Sequence, residues 1–229
     1  MTTRRILLLG AGDLAREVAK ILVPGAGASG TPCEIAAYCD VPGAVAPEFT
    51  RFCANTDEAL RNFPPAEWQA IGCVGSPKVR AAMYTRFSGM GYVFATACHP
   101  DATLFAEQIG PGCVVFPGAR LAVGCRLGED VVVSFNATVG HDTVIGAHSV
   151  IAPGVQLGGR IVCGKRAVFG IGSSVLQRRR IGDDAVISAG SSVWTDVSAG
   201  CTVVGVPAVA RKVPGRSSAQ PASQPDRKQ

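Results

Sequence analysis

Across residues 103–193 every sixth position is apolar, with Thr103 and Cys163 the two that are neither aliphatic nor aromatic. The series starts at Thr103 and runs through Ile109, Val115, Leu121, Leu127, Val133 and Val139 to Ile145, Ile151, Leu157, Cys163, Phe169, Val175, Ile181, Ile187 and Val193. Glycine often follows this lead residue, as at Gly110, Gly128, Gly140, Gly158 and Gly170, and a small residue stands four after it, as at Ala119, Ala137, Thr143 and Ala167. A period of six fits neither the 3.6 of an amphipathic helix nor the 2 of a half-buried strand. It predicts a coiled backbone in which each hexad is a short strand plus a corner, with the lead pointing inward and glycine easing the bend. Stacked coils then bury one continuous apolar column and pair each strand with the coils above and below. The register reads as unbroken through Ser198. A disordered glycine-rich tract would not keep Ile, Val and Leu in phase.

Ahead of the hexads the periodicity is different. An apolar run ending at Leu9 meets Gly10, and a helical pattern follows through Leu22. After a Gly/Pro/Ser loop over 24–32 come a strand over 34–40, a helix over 57–62, a strand over 68–74, a helix over 77–88 behind a Ser76 N-cap, and a last strand over 92–96. Alternating strands and helices give a small Rossmann-like parallel α/β sheet. The chain thus divides into an α/β domain (1–98), the hexad domain (99–213) and a polar tail (214–229) that is expected to be disordered.

Composition narrows the function. With 229 residues, 47% of them hydrophobic, the chain can bury a substantial core. A net charge of +5, with basic residues gathered at Lys165, Arg166, Arg178, Arg179, Arg180 and the tail, suits a local phosphate site better than a nucleic-acid groove. Aromatic residues at 6% also argue against single-strand stacking platforms. Nine cysteines without CxxC spacing, several at core positions, read as reduced thiols. No signal-peptide cleavage region and no apolar run of membrane-spanning length is seen, so a cytoplasmic protein is expected.

The turn Gly10-x-Gly12-x-x-Ala15 can bring backbone N–H groups to a pyrophosphate at a helix N-terminus. A tight structural turn is the alternative, because Asp40 lies beyond the usual acid of a dinucleotide fingerprint and the domain has room for only half of that fold.

The hexads resemble the left-handed parallel β-helix of the hexapeptide-repeat acyltransferases, whose triangular coils take three hexads each. On that resemblance residues eighteen apart stack, so Val123, His141 and Gly159 share one corner. An α/β domain ahead of such a β-helix looks like the bacterial sugar acyltransferases, which include sialic acid O-acetyltransferases and N-acetyltransferases of nucleotide-linked amino sugars. The resemblance implies acetyl-CoA as donor, a sugar or nucleotide-sugar acceptor, and a homotrimer with the donor groove between adjacent β-helices. It places the acceptor at a Gly-x-x-Gly-His-Gly turn, an acid after the second strand and a glycine after the third. Matching positions are Gly10, Gly12, Asp13, Leu14 and Ala15, then Asp40, then Gly72 or Gly75. Asp13-Leu14-Ala15 departs from the family's Gly-His-Gly, which puts the usual acceptor in question. Donor positions carried over are Gly159, Ile171 and Ala189; Val150 stands where one subgroup has a donor-facing histidine. Arg179 falls at a small inward position, so a bulge over 177–180 is expected. Arg178 from it, together with Lys165 and Arg166, would either meet CoA phosphates or form a solvated basic edge.

His141 follows a lead valine and a glycine, so it faces out of the column, and Asp142 stands next to it. Acetyl transfer to an amine or hydroxyl needs a base, and imidazole titrates in the right range; a neighbouring carboxylate supports the imidazolium that forms. The pair resembles the family's His followed by an acid. The bland reading is a solvated corner histidine beside a turn aspartate. A zinc site of three histidines lacks its third coil ligand, since His99 precedes the coils, and no metal is expected. The expected activity is acetylation of a sugar or nucleotide sugar in surface glycan synthesis; a non-catalytic sugar-nucleotide scaffold is the alternative.

Overall fold

The computed structural model describes residues 3–22, 33–39 and 49–211. Asp40, the loop over 24–32 and the tail over 214–229 lie outside the described residues. Strands β1 (Arg4–Leu9), β2 (Cys33–Tyr38), β3 (Phe52–Cys53) and β4 (Gln69–Gly72) form a parallel sheet in the order β3-β2-β1-β4. Helices α1 (Asp13–Leu22), α2 (Thr56–Asn62) and α3 (Pro77–Gly89) flank it. Ile6, Leu7, Leu8 and Leu9 are fully buried, as a central parallel strand covered on both faces requires. Asn55 caps α2 by accepting the Glu58 N–H at 2.9 Å, and the Glu58 carboxylate accepts the Ala54 N–H in return. Ser76 makes no side-chain cap on α3; Pro77 starts that helix instead, with its fixed φ and no N–H to satisfy.

The expected strand over 92–96 does not form. Only an isolated bridge joins Ala70 to Phe94, and the next two residues, Ala97–Cys98, already pair with Val114–Val115 of the coils. The segment is shared between two cores: Tyr92 and Phe94 pack in the α/β cluster and residues 93 and 95 bond Ala70, while Ala95 and Ala97 pack with α1 and with Val114, Phe116 and Val132.

From there the chain winds as a prism with three faces of parallel two-residue strands. The first face carries Arg120–Leu121, Thr138–Val139, Gln156–Leu157 and Ser174–Val175; the second carries Arg126–Leu127, Val144–Ile145, Val162–Cys163 and Arg180–Ile181. The third face carries Val114–Val115, Val132–Val133, Val150–Ile151, Val168–Phe169 and Val186–Ile187. Each lead pairs with the one eighteen residues on, as Val139 does with Leu157, and the leads make one buried column. The glycines after the leads answer to close stacking: a Cβ on Gly140 would fall 2.5 Å from the backbone carbon of Gly158. Bending is done two residues later, where Asn136, Asp142, His148 and Arg160 hold φ between 55 and 60°.

The register is broken at both ends. Leu104, not Thr103, pairs with Leu121, and Ile187 pairs with Val203 only sixteen residues on. The column ends in an antiparallel hairpin between Thr202–Val204 and Val209–Arg211. No bulge occurs at 177–180 either: Val162 N–H reaches Arg179 O at 3.0 Å and Arg180 pairs in register with Val162. Arg179 escapes the column by turning back, its Nε donating to Gln177 O at 3.2 Å.

The α/β domain sits on the third face, where Val114, Val132 and Val150 pack against α1 and its neighbours. No helix among the described residues is long and apolar enough to cross a membrane.

Candidate active site

His141 and Asp142 form a corner on the edge between the first and second faces. This is the edge opposite the third face and its α/β domain. Asp142 takes φ 56°, a conformation aspartate tolerates, and its N–H is tied to Val123 O at 3.0 Å. Beneath it Gly124 leaves room: a Cβ there would lie 2.5 Å from Asp142 Oδ1. The second oxygen, Oδ2, is 2.9 Å from His141 Nδ1, which fixes the ring and leaves Nε2 directed at Gly159. The hydrogen bond from His141 holds the Asp142 carboxyl below its usual range; desolvation, the next largest effect, opposes it, and the imidazole's charge and Arg160 add smaller lowering contributions. Such a pair can accept a proton at Nε2 while the carboxylate steadies the charge.

The other expected donor residues are spread over three edges. Gly159 and Arg178 share the His141 edge, and Arg178 N–H bonds Gly159 O at 2.9 Å. Lys165 stands on the edge between the second and third faces, its N–H bonded to the Asp183 carboxylate at 2.9 Å. Arg166 beside it is held by Asp184 through two bonds of 2.9 and 2.7 Å. Ile171 and Ala189 stand on the remaining edge, Ile171 with 63% exposure. Val150 is not near the His141 edge at all; it packs into the cluster beneath the α/β domain.

In the α/β domain the strand order reverses between β1 and β4, the place where open α/β sheets form a crevice. Gly10 is needed there for packing: at φ 134° a Cβ would meet Cys73 O at 2.5 Å. Gly12 and Gly75 face open space, Asp13 is exposed and ion-paired to Arg16 at 3.1 Å, and Leu14 is partly packed on the α1 cluster. Of the two glycines offered after β4, only Gly75 has open space where a side chain would go. Gly72 has another task, since a Cβ on it would meet the Asp130 carboxylate at 2.8 Å.

That carboxylate anchors a buried cluster the sequence reading missed. Arg80 and Asp130, both with fully buried side chains, form an ion pair. Arg80 Nη1 also donates to Gly72 O at 3.0 Å and Val74 O at 3.2 Å, while Nη2 reaches Asp130 O at 3.2 Å. His148 Nδ1 is 3.0 Å from Asp130 Oδ2, and the Tyr84 ring meets the His148 ring edge-on at 5.3 Å. Burial and Glu129 push the Tyr84 hydroxyl up to about 12. The cluster joins α3 to the coils and steadies the β4–α3 loop. Its signals were Arg80 and Tyr84 four apart on one helix face, and Asp130 and His148 eighteen apart on one edge. His99 Nδ1 accepts the Asp101 N–H at 3.1 Å.

Comparison with known proteins bears on the coils and on the fold. Residues 124–159 match the family model described as bacterial transferase hexapeptide (six repeats). The acetyltransferase domain of PglB from Neisseria gonorrhoeae superposes with a TM-score of 0.81 at 30% identity, over 91% of this chain and 100% of that one. The chain belongs to the hexapeptide-repeat transferases. Its prism follows a small α/β domain. The PglB domain has also been solved in complex with acetyl coenzyme A. PerB from Caulobacter crescentus, solved with CoA and GDP-perosamine, shares the fold at TM-score 0.78 and 24% identity, over 90% of this chain and 97% of that one. A serine acetyltransferase from Synechococcus elongatus is 38% identical over 104 residues. That match takes in 42% of this transferase and 41% of the relative, so the chain spans well under half of that relative's length. Among the described residues no three His, Cys, Asp or Glu side chains gather as metal ligands.

Proposed function

We propose that this transferase moves an acetyl group from acetyl-CoA to an amine or hydroxyl of a sugar or nucleotide sugar used in surface glycan synthesis. The observation that carries the reading is the His141 ring, held by Asp142 at Nδ1 with Nε2 beside Gly159. In a ternary complex Nε2 takes the proton of the acceptor N–H or O–H as the acceptor attacks the thioester carbonyl. A C–N or C–O bond forms, the C–S bond breaks, and the proton passes from the imidazolium to the departing CoA thiolate. We assign the Gly159 N–H to the carbonyl oxygen that becomes negative. The acceptor is held by the α/β unit (1–98), at Gly12, Asp13 and Gly75, and the chemistry by the coils (99–213).

The placement of the two units supports a trimer. His141 lies on the edge opposite the face that carries its own α/β domain, so a crevice and a base meet only across copies. Val144 and Val162, 40% and 48% exposed on the second face, and Ile171 on another edge, offer apolar surface for that contact. Gly159 and Arg178 of one copy then face Ile171 and Ala189 of the next across the donor groove.

Release of free CoA by the purified protein, screened with UDP- and dTDP-linked amino sugars and CMP-sialic acid, tests the reading and separates N- from O-acetylation. Binding of a nucleotide sugar with no turnover of acetyl-CoA by any of these acceptors would favour a scaffold.

A further inference from the structure

Arg160 stands one coil above Asp142 at the same corner position. Both residues have left-handed backbones, φ 60° and 56°, and Arg160 N–H is tied to His141 O at 2.8 Å, so their side chains leave the edge side by side. Arg160 Nε lies 3.5 Å from Asp142 Oδ2, the same oxygen that is 2.9 Å from His141 Nδ1. One carboxylate oxygen therefore serves a guanidinium and an imidazole at once. Below the pair Gly124 contributes no charge; Glu107, paired with Arg126 at 2.7 Å, also feels the Asp142 charge, and Arg178 follows one coil above.

A lone carboxylate beside a histidine favours the imidazolium, and a base that is already protonated takes no proton from an acceptor. A cation on the far side of the same carboxylate works against that. We propose that Arg160 is a positioning residue for the reaction at His141: it fixes the Asp142 carboxylate against Nδ1 and opposes proton uptake by the ring, which therefore meets its acceptor as a neutral base. Among side chains an arginine suits this place, since its delocalised charge persists at any working pH and its stem spans one coil. The inference rests on the reading of His141 as the base.

The test is an imidazole NMR titration of the full-length protein, in which three histidines give few signals and His141→Ala identifies the one of interest. Arg160→Gln raises the His141 protonation midpoint by about half a pH unit, the size of effect a half-exposed charge exerts. Arg160→Lys, which keeps the charge, returns the midpoint most of the way. The acidic limb of kcat/KM moves up with the midpoint, and KM for acetyl-CoA stays within twofold. A midpoint unchanged in Arg160→Gln overturns the inference. So does an unchanged midpoint joined to a raised KM for acetyl-CoA, which would make Arg160 a donor contact. If instead His141→Ala keeps its turnover, the base assignment fails, and the titration still decides whether Arg160 acts on the ring.

Discussion

The imidazole of His141 fills the space that a side chain at Gly159 would need: a Cβ built there falls 2.4 Å from Nε2 and 2.7 Å from Cδ2. Eighteen residues separate the two in sequence and one coil separates them in space. Gly159→Ala thus pushes the ring off its seat while leaving the backbone unstrained. A misplacement of this size costs on the order of 10²-fold in turnover, with circular dichroism and sedimentation unchanged. Turnover within threefold of the parent would show that the ring has no fixed seat on Gly159.

His141→Ala and His141→Asn lower turnover by ~10² to 10⁴, the usual worth of a general base, and leave assembly intact because the side chain is half exposed on the edge. Asp142→Asn costs less, since asparagine accepts the same backbone conformation. It moves the acidic limb of the rate profile to lower pH as support for the imidazolium is lost. The Asp142 carboxyl is held below its usual range by His141, so in the parent it stays charged throughout that limb. Steady-state rates from pH 5 to 9 check both statements.

Arg178→Ala raises KM for acetyl-CoA, more at low salt, and changes little with dephospho-CoA as donor. Equal effects on both donors would make Arg178 a surface residue. Mixed oligomers add a second check: His141→Ala co-assembled with a crevice variant such as Gly12→Asp regains part of the turnover that each lacks alone, because each pairs its intact half with the other's.

Asp130→Asn or Arg80→Met each leaves a charge buried without its partner and destabilises the protein by about 3–5 kcal/mol in urea unfolding. Replacing both with apolar residues of similar size recovers most of that loss. An additive double variant would mean that the two side chains do not act as a pair.

The cysteine pattern gives a simple chemical check. Burial pushes the thiols of Cys53, Cys73, Cys113 and Cys163 up to about 12 and that of Cys125 to about 11. Alkylation needs the thiolate, so iodoacetamide at pH 9 leaves these five untouched in the native protein. Partly exposed Cys33, Cys39, Cys98 and Cys201 react first, and all nine react in denaturant. Modification of Cys163 in the native state would mean that its coil opens.

The β-helix was legible because its instructions are local and repeated. A lead residue, a glycine and a small residue every six positions carry strand, corner and core together, and each coil finds its partner eighteen residues away. The same regularity placed His141 and Asp142 on a corner and Gly159 above them. At the ends of the column the rule lapsed, since Leu104 and Val203 take their register from the neighbouring coil and not from the count. Likewise Arg179 broke the pattern in sequence but not in backbone, because its long side chain can turn back over Gln177. The α/β elements were read from their apolar runs, except where tertiary contact prevailed: residues 92–96 had the composition of a strand but touch β4 through a single bridge, because the chain turns to the coils from Ala97 on. Which face of the prism the α/β domain covers had no signal in the sequence. That choice depends on Val114, Val132 and Val150 meeting α1, and on Arg80 meeting Asp130 from fifty residues away. Such pairings join surfaces that only the finished coils create, and they alone set His141 on the edge away from its own α/β domain.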